Sequence, residues 1–512
     1  MNFTVGGTLK MSTIARGRIE SSDISLDIIV KHGKGVRITQ SSKDYICMHV
    51  GEDAIIEDLI DDKYYGLICD HVLPLVPLDL HSENVLNQYK IKILRKLILE
   101  EIKLFLAENR LLARRALFSP YYFLLNHYKR KALLFVFLRQ YFKFLARESL
   151  ENIPYDVLNT TISLLIAEGY LKRPYYDDKV SLGNKSLDIK SSPIDMLLNT
   201  VPYLSLLNLR VDIKSILQIT SLLATRISVS DDLGLEDKVG QYAFLETDKG
   251  LLPLTIDLPS NIPYERRIRL GGIINTAYLI EDEKKHTYVL KKYHEWSGLK
   301  WLPIALWSLG AYNFDTSAKR RLLNEYSMNR DLKDLGFKVP SIYYINLRNK
   351  FVIEEYVQGN LFRDIIVEGL THGKMLDIIE LVSSEIAKVH RYGIVLGDAN
   401  PTNIIVKDNQ DVFFIDLEQA RYGNKSSWDL AILFFFTAHY VRGLKLDNLR
   451  DVLEAIVRGY LKYGVIKPLK EALSPLYIRV FTLFAFPHAL IKAYIDLRRM
   501  LIDLSKRSST SI

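Results

Sequence analysis

The sequence predicts an α+β chain with a two-lobed catalytic domain, preceded by a β-rich segment and a helical segment. At 512 residues the chain is too long for a single core. Short β-branched segments separated by Gly, Asp and Ser fill the first 82 residues, and apolar residues then recur at three- and four-residue steps. We expect a β-rich domain at 1–82, a basic helical domain at 83–235 and a linker hairpin at 236–261. The catalytic domain is expected at 262–505 and a tail at 506–512.

The composition indicates a folded protein of the cytoplasm. Hydrophobic residues make up 48% of the chain and the net charge is +8, so overall charge alone does not indicate nucleic-acid binding. The two cysteines, Cys47 and Cys69, exclude a disulfide framework. The first residues show no signal peptide, and the longest apolar runs are about half of the ~20 residues that a membrane span needs.

There are two Cys-x-His pairs: Cys47/His49 lies in a predicted strand, 45–50, and Cys69/His71 starts at the end of another, 64–69. Residues i and i+2 of a strand share a face, so two neighbouring strands would present four ligands to zinc. We favour the alternative that the cysteines are small buried hydrophobic residues, because structural zinc sites usually have wider spacing within each half.

Residues 84–147 contain fourteen basic residues and three acidic ones. A basic helical surface with interleaved tyrosines would suit contact with nucleic acid or a ribosome. The favoured alternative is a set of solvated helix faces around an ordinary core.

Residues 153–182 resemble a winged helix-turn-helix. A helix at 157–168 is followed by two short strands, 170–173 and 180–182, as in a wing. The helix surface is neutral to acidic, which argues against sequence-specific DNA reading. Two further helices are expected at 193–207 and 211–227.

The catalytic domain begins with elements suited to a nucleotide. The turn Gly271-Gly272 would let backbone N–H groups approach phosphates. Lys291 ends a predicted strand and would hold the α- and β-phosphates, with Lys292 as the register alternative. A later helix carries Glu325, which would pair with Lys291.

Residues 351–359 are predicted as a strand that turns into a hinge. Backbone groups of Glu355 and Val357 would bond the adenine of ATP. A long helix, about 376–392, then leads to the segment on which the catalytic interpretation depends.

The segment from His390 to Ala420 carries the reactive groups. Asp398 is followed five residues later by Asn403, and Asp416 follows an apolar strand. Two oxygen ligands for Mg²⁺ and one carboxylate that can hold a hydroxyl are what phosphoryl transfer from ATP needs.

These motifs carry a resemblance to the protein-kinase-like superfamily over residues 262–500. HRYGIVLGDANPTNIIV and FFIDLEQA resemble motifs of its atypical branches, the RIO kinases, the KEOPS-complex kinase and the aminoglycoside/choline phosphotransferases. The resemblance implies that Asp398 is the catalytic base or hydroxyl-orienting group. It implies that Asn403 and Asp416 hold Mg²⁺, that Lys291 holds ATP phosphates and that Glu325 holds the lysine.

The departures from the family pattern also carry information. Leu396 and Gly397 replace the usual His-Arg, and Leu417-Glu418 replaces Phe-Gly. The next buried helix starts only about a dozen residues after Asp416, so no peptide platform fits. A phosphorylation-switched activation loop is therefore not expected.

The resemblance favours an ATP- and Mg²⁺-dependent atypical serine/threonine protein kinase of archaeal type with a protein substrate. One alternative is a small-molecule kinase of the aminoglycoside/choline type, which an acidic pocket at the site mouth would indicate. Another is a nucleic-acid- or ribosome-associated ATPase or switch, which salt-dependent binding by the basic region would indicate.

Overall fold

The structure is a computed structural model. It describes residues 13–20, 25–40, 45–135, 138–176, 178–185, 239–254, 266–271, 275–282, 284–295, 310–408, 410–441, 446, 448–482 and 485–509. The chain divides into two compact units, the first comprising 1–246 and 251–256 and the second 247–250 and 257–512. The segments predicted as a β-rich domain and a helical domain both lie in the first unit, and the predicted boundaries between them stay predictions.

The first sheet of the first unit has the strand order β3-β4-β2-β1-β5. Its members are β1 (Thr13–Glu20), β2 (Ser25–Lys31), β3 (Val36–Gln40), β4 (Tyr45–Gly51) and β5 (Val76–Pro77). Strands β2 and β4 pair in parallel and the remaining neighbours pair antiparallel. The expected β-rich start of the chain is therefore confirmed.

Helices build the rest of the first unit: α1 (Glu52–Asp61), α2 (Leu67–Val72), α3 (Leu80–Glu108), α4 (Tyr121–Leu134), α5 (Arg139–Asn152) and α6 (Tyr155–Ala167). Helix α3 begins after Asp79, whose side chain accepts a hydrogen bond of 2.7 Å from the backbone N–H of Ser82. Such an N-cap satisfies one of the donors that a helix start leaves without a partner.

A second sheet follows the order β10-β9-β6-β8-β7. Its strands are β6 (Ala116–Phe118), β7 (Leu171–Lys172), β8 (Val180–Leu182), β9 (Ala243–Thr247) and β10 (Gly250–Pro253). Helix α6 followed by the antiparallel pair β7–β8 has the order expected of a winged helix. The helices predicted at 193–207 and 211–227 lie outside the described residues.

The strand predicted at residues 64–69 is wrong. The carboxylate of Asp58 accepts four backbone N–H groups, at 2.8–3.1 Å, from Tyr64, Gly66, Ile68 and Cys69. These bonds fold the segment into a turn and the start of α2, so no ladder partner is needed.

The same correction removes the arrangement on which the zinc hypothesis depended. Cys69 and His71 lie on the buried helix α2, and His71 Nδ1 contacts the carbonyl oxygen of Leu67 at 2.5 Å. Cys47 and His49 lie on β4. Within the described part of the chain, no three His, Cys, Asp or Glu side chains are grouped to hold a metal.

Several basic residues of the 84–147 segment are neutralised inside the first unit. Arg95 pairs with Glu168 at 2.8 Å, and Lys96 pairs with Asp62 at 2.6 Å. Lys131 pairs with the buried Asp70, and Arg130 pairs with Glu101 at 2.6 Å. Three of these acids lie outside the segment, so its local excess of basic residues overstates the charge that a nucleic acid would meet.

The second unit starts with an antiparallel sheet of order β11-β12-β13-β15-β14. The strands are β11 (Arg266–Gly271), β12 (Thr276–Glu281), β13 (Thr287–Lys292), β14 (Ile342–Asn346) and β15 (Phe351–Glu355), with helix α7 (Ala318–Asp334) between β13 and β14. This is the smaller lobe.

The larger lobe is mainly helical. Its helices are α8 (Phe362–His372), α9 (Leu376–Arg391), α10 (Ser426–His439), α11 (Leu449–Leu461), α12 (Ile466–Glu471), α13 (Pro475–Phe481) and α14 (Pro487–Ser509). Short strands β16 (Asn360–Leu361), β18 (Ile404–Val406) and β19 (Val412–Phe414) form one sheet, and β17 (Ile394–Val395) pairs with β20 (Arg421–Tyr422). The two-lobed α+β architecture is confirmed, and α14 continues beyond the predicted end near residue 505.

In the described ranges, no helix has both the length and the apolar character that a bilayer crossing requires.

The buried Lys90 gives the first unit a pH-dependent stability. Its ammonium donates to the carbonyl oxygens of Leu75 (2.7 Å) and Asn152 (3.4 Å), and burial lowers its pKa from 10.5 to about 8. Between these pH values the unfolded chain holds the proton and the folded chain does not, so stability rises with pH.

We expect this rise to total about 3 kcal/mol between roughly pH 8 and 10.5. The Lys90→Met variant should lose it. Thermal unfolding of both proteins across this range measures the difference, and parallel pH profiles would contradict the assignment.

Candidate functional site

Strand β13 places Lys291 at the centre of a buried charge cluster. Its Nζ lies 2.9 Å from Glu354 Oε1, 3.3 Å from Glu325 Oε1 and 3.9 Å from Asp416 Oδ1. The neighbouring Lys292 is exposed, so the strand directs Lys291, and not the alternative Lys292, into the cluster. The expected pair between Lys291 and the α7 residue Glu325 is present.

The cluster contains more negative than positive charge. Burial alone would lower the pKa of Lys291, but the carboxylates of Glu325, Glu354 and Asp416 raise it well above its usual value. Burial raises the pKa of Glu325 to about 8, against the attraction of Lys291, and raises that of Glu354 as well. The ammonium therefore stays charged, while the carboxylates crowd each other.

Glu354 was missed by the sequence analysis. It precedes the hinge residue Glu355 on β15, and β15 pairs with β13. The register places Glu354 opposite Val289, and its buried side chain reaches the lysine. A glutamate directly after the apolar run 351–353, and one residue before the predicted hinge residue Glu355, was the available signal.

The loop after β17 carries Asp398. Asn403, in the 3₁₀ turn Pro401–Asn403, donates from Nδ2 to Asp398 Oδ2 at 3.0 Å and to its carbonyl oxygen at 3.2 Å. Burial, and then the charges of Asp416 and Glu418, raise the pKa of Asp398 to about 7. The two residues predicted from their five-residue spacing therefore lie together.

Asp416 follows β19 in a left-handed backbone conformation, with φ of 61°. The N–H of Ile415 donates to the carbonyl oxygen of Asn403 at 2.9 Å, which joins this segment to the Asp398 loop. Among the described residues no hydrogen-bond donor reaches the buried Asp416 Oδ1. A buried carboxylate oxygen without a donor is suited to a cation.

A fully buried carboxylate, Asp429 of α10, holds the Asp398 loop. It accepts hydrogen bonds from the N–H groups of Leu396 (2.6 Å) and Gly397 (2.8 Å), and His390 Nε2 lies 3.0 Å from it. Trp428 Nε1 donates to the carbonyl oxygen of Gly397 at 2.8 Å. The sequence analysis predicted only that a buried helix begins near this position and missed the role of Asp429.

Gly397 occupies a position that admits no side chain. Its φ is 76°, and a Cβ atom would lie 2.3 Å from the carbonyl oxygen of Gln419 and 2.5 Å from the hydroxyl of Tyr312. The replacement of arginine by glycine here therefore has a steric reason.

The hinge and the glycine turn are only partly as predicted. The N–H of Glu355 donates to the carbonyl oxygen of Ser341 at 2.8 Å, so it is not available to a ligand. Val357 packs with the apolar residues Ile405 and Phe413. Gly271 ends β11, and Gly272 lies outside the described residues.

Known proteins are similar in sequence to part of this chain. Residues 311–430 match the family model described as the RIO domain. A Methanococcus vannielii protein, named a probable bifunctional tRNA threonylcarbamoyladenosine biosynthesis protein, is 29% identical over 145 residues, 28% of this chain and 25% of that protein. The KEOPS complex subunit Bud32 of Pyrococcus abyssi is 30% identical over 104 residues, 20% of this chain and 46% of that protein.

A Thermoplasma acidophilum protein with the same threonylcarbamoyladenosine name is 30% identical over 140 residues, 27% of this chain and 25% of that protein. The similarity thus spans between a quarter and a half of the length of these relatives. Together with the two-lobed fold, the matches confirm the resemblance to atypical protein-kinase-like proteins of the RIO and Bud32 type.

The steric constraint at Gly397 gives a matched pair of variants. Gly393 also has a left-handed backbone (φ of 71°), but a Cβ there would meet nothing within 4 Å. We expect Gly393→Ala to lower stability by about 1 kcal/mol through backbone strain alone.

Gly397→Ala should cost a further ~1–3 kcal/mol, because the methyl group displaces backbone next to Asp398. Chemical denaturation of both variants measures the difference. Equal losses would mean that the loop can shift freely.

Proposed function

We propose that the second unit is an ATP- and Mg²⁺-dependent phosphotransferase, and most specifically an atypical serine/threonine protein kinase. The observation that carries the proposal is the convergence of three groups from separate elements. The Lys291–Glu325 pair, the Asp398–Asn403 pair and Asp416 meet in one partly buried site. Positioning and charge neutralisation are what phosphoryl transfer mainly requires.

In this proposal the smaller lobe binds the nucleotide. Lys291 donates to the phosphates, and Glu325 orients its ammonium. The apolar residues around Val357 provide a surface for the adenine ring. Since the N–H of Glu355 is already bonded, adenine would bond to the carbonyl oxygen of Glu355 and to the backbone of Val357.

Asn403 and Asp416 are the residues suited to Mg²⁺. The amide nitrogen of Asn403 is occupied by Asp398, which leaves its oxygen as the atom for a cation. Asp416 Oδ1 has no described hydrogen-bond donor. Magnesium bound there would neutralise charge on the phosphates.

Asp398 would accept a hydrogen bond from the attacking hydroxyl and orient it toward the terminal phosphate. Asn403 holds this carboxylate through a hydrogen bond, and Asp429 holds the loop through bonds to its backbone N–H groups. The raised pKa of Asp398, about 7, places it in the range of a general base at neutral pH.

The acceptor is proposed to be a protein hydroxyl rather than a cationic small molecule. Arg363 acts electrostatically on the phenol of Tyr440, as does Asp398. Tyr440 donates to Asn400 Oδ1 at 3.3 Å, on the loop that carries Asp398. Arg363 is paired with Asp364 at 2.7 Å, so these two side chains form a neutral pair rather than the acidic surface that would attract an amine-bearing acceptor of the aminoglycoside or choline type.

A second candidate function is that of an ATPase or switch in an RNA-associated machine. The names of the similar proteins concern tRNA threonylcarbamoyladenosine biosynthesis and the KEOPS complex. Residues 84–147 supply basic side chains, although several are paired internally. Filter binding of the full chain to tRNA at ~50 mM salt tests it, since phosphate contacts are strongest at low salt. Absence of binding there would reject this candidate.

Labelled ATP separates the proposed roles of the two carboxylates. Asp398→Asn should lower phosphate transfer by about 10²–10⁴-fold with little change in ATP affinity, because it removes only the group that orients the hydroxyl. Asp416→Asn should also lose Mg²⁺-dependent ATP binding.

Transfer should be measured with the protein alone, with a cell extract and with choline or an aminoglycoside, and ATP binding by calorimetry. Labelling of protein serine or threonine is expected. Labelling of the small molecules would favour the alternative kinase class, and phosphate release alone would favour the ATPase. Full activity in Asp398→Asn would contradict the proposed mechanism.

A further inference from the structure

Helix α7 directs two charged side chains, one turn apart, at two different parts of the site. Glu325 pairs with Lys291 on β13. Arg321, four residues earlier and therefore on the same helix face, pairs with Glu418, only two residues after Asp416. Arg321 is completely buried, so its position is fixed by packing as well as by charge.

Three side chains close this second connection, and we call them the 275–321–418 clasp. Arg321 Nη1 donates to Glu418 Oε2 at 3.0 Å and to Asn275 Oδ1 at 2.6 Å. Asn275 Nδ2 donates to the same Glu418 oxygen at 2.5 Å. Each member thus contacts the other two.

The clasp acts on the backbone that follows Asp416. Asn324, next along α7, donates from Nδ2 to the carbonyl oxygen of Glu418 at 3.2 Å. Both the side chain and the main chain of Glu418 are therefore attached to one rigid helix. Two residues upstream, Asp416 has a left-handed backbone that non-glycine residues adopt only when their surroundings impose it.

Charge repulsion gives a second reason for such an attachment. Asp416 lies near the carboxylates of Asp398, Glu325 and Glu354, and its charge helps to raise the pKa of each of these three groups. A free loop would move Asp416 toward solvent to reduce this repulsion. The clasp opposes that movement because separating Arg321 from Glu418 would leave a fully buried guanidinium without its carboxylate partner.

We propose that Arg321 and Glu418, together with Asn275, are positioning residues that fix the carboxylate of Asp416 for a divalent cation. This inference rests on the phosphotransferase function proposed above. Because Arg321 and Glu325 lie on one helix, the Arg321–Glu418 contact also fixes the position of Asp416 relative to Glu325, the partner of Lys291.

The decisive variant is the double substitution Arg321→Met/Glu418→Gln. It removes both charges together, so it leaves no unpaired ion in the interior and keeps similar side-chain volumes. The single variants Arg321→Met and Glu418→Gln each leave one buried charge and report the coupling. Arg330→Met is the matched control, because Arg330 is a buried arginine of the same helix whose partner, Asp248, is 3.2 Å away and outside the site.

Calorimetric binding of ATP at varied Mg²⁺ gives a readout independent of turnover, and thermal unfolding reports folding. We expect the double variant to require roughly 10–100-fold more Mg²⁺ for half-maximal ATP binding, as is typical when residues that orient metal ligands are changed. The single variants should show shifts that do not add up in the double variant. Arg330→Met should unfold at a lower temperature with an unchanged Mg²⁺ requirement.

An unchanged Mg²⁺ requirement in the folded double variant, with wild-type transfer activity, would overturn the positioning role. A wild-type protein that binds no ATP at any Mg²⁺ concentration would overturn the proposed function itself. The two failures are therefore distinguishable.

Discussion

The constraint on which the site depends is the burial of one lysine among several carboxylates. Lys291 contacts Glu354 and Glu325 and lies 3.9 Å from Asp416. Taking like charges out of water is costly unless cations accompany them, and the pKa values of Glu325 and Glu354 are accordingly raised. In the function proposed above, a divalent cation would offset part of the excess of carboxylates, and the cluster would bind nucleotide through this cation and Lys291.

The site residues that the sequence analysis predicted are those that belong to short local motifs. Lys291, Asp398 and Asp416 were predicted from local signals, because Lys291 ends a strand, Asp398 precedes Asn403 by five residues and Asp416 follows an apolar strand. Glu354 and Asp429 could not, since each acts through a partner far away in sequence: Glu354 reaches a lysine on another strand, and Asp429 bonds the N–H groups of a loop more than thirty residues earlier. Such contacts are made by tertiary packing, on which local spacing is silent.

The fold was predictable to a similar degree. The β-rich start and the two lobes followed from periodicity, but residues 64–69 were assigned to a strand because their composition is aromatic and apolar. The buried carboxylate of Asp58 supplies the hydrogen bonds that a neighbouring strand would otherwise give, and so allows a turn and helix instead. The basic segment 84–147 likewise contains few acidic residues of its own. In the folded unit, however, Asp62, Asp70 and Glu168 from outside the segment pair with some of its basic side chains.

The bonds that attach the stretch between Asp416 and helix α10 bear on how the activity of such a protein could be regulated. Strand β20 pairs with β17, Gly423 donates to the carbonyl oxygen of Gly393 at 2.8 Å, and Lys425 reaches the carbonyl oxygen of Ala311. Each of these bonds restricts the conformational freedom that a segment would need in order to switch between two conformations. In the proposed phosphotransferase, any control of Asp398 would therefore have to act through another part of the chain or through a bound partner.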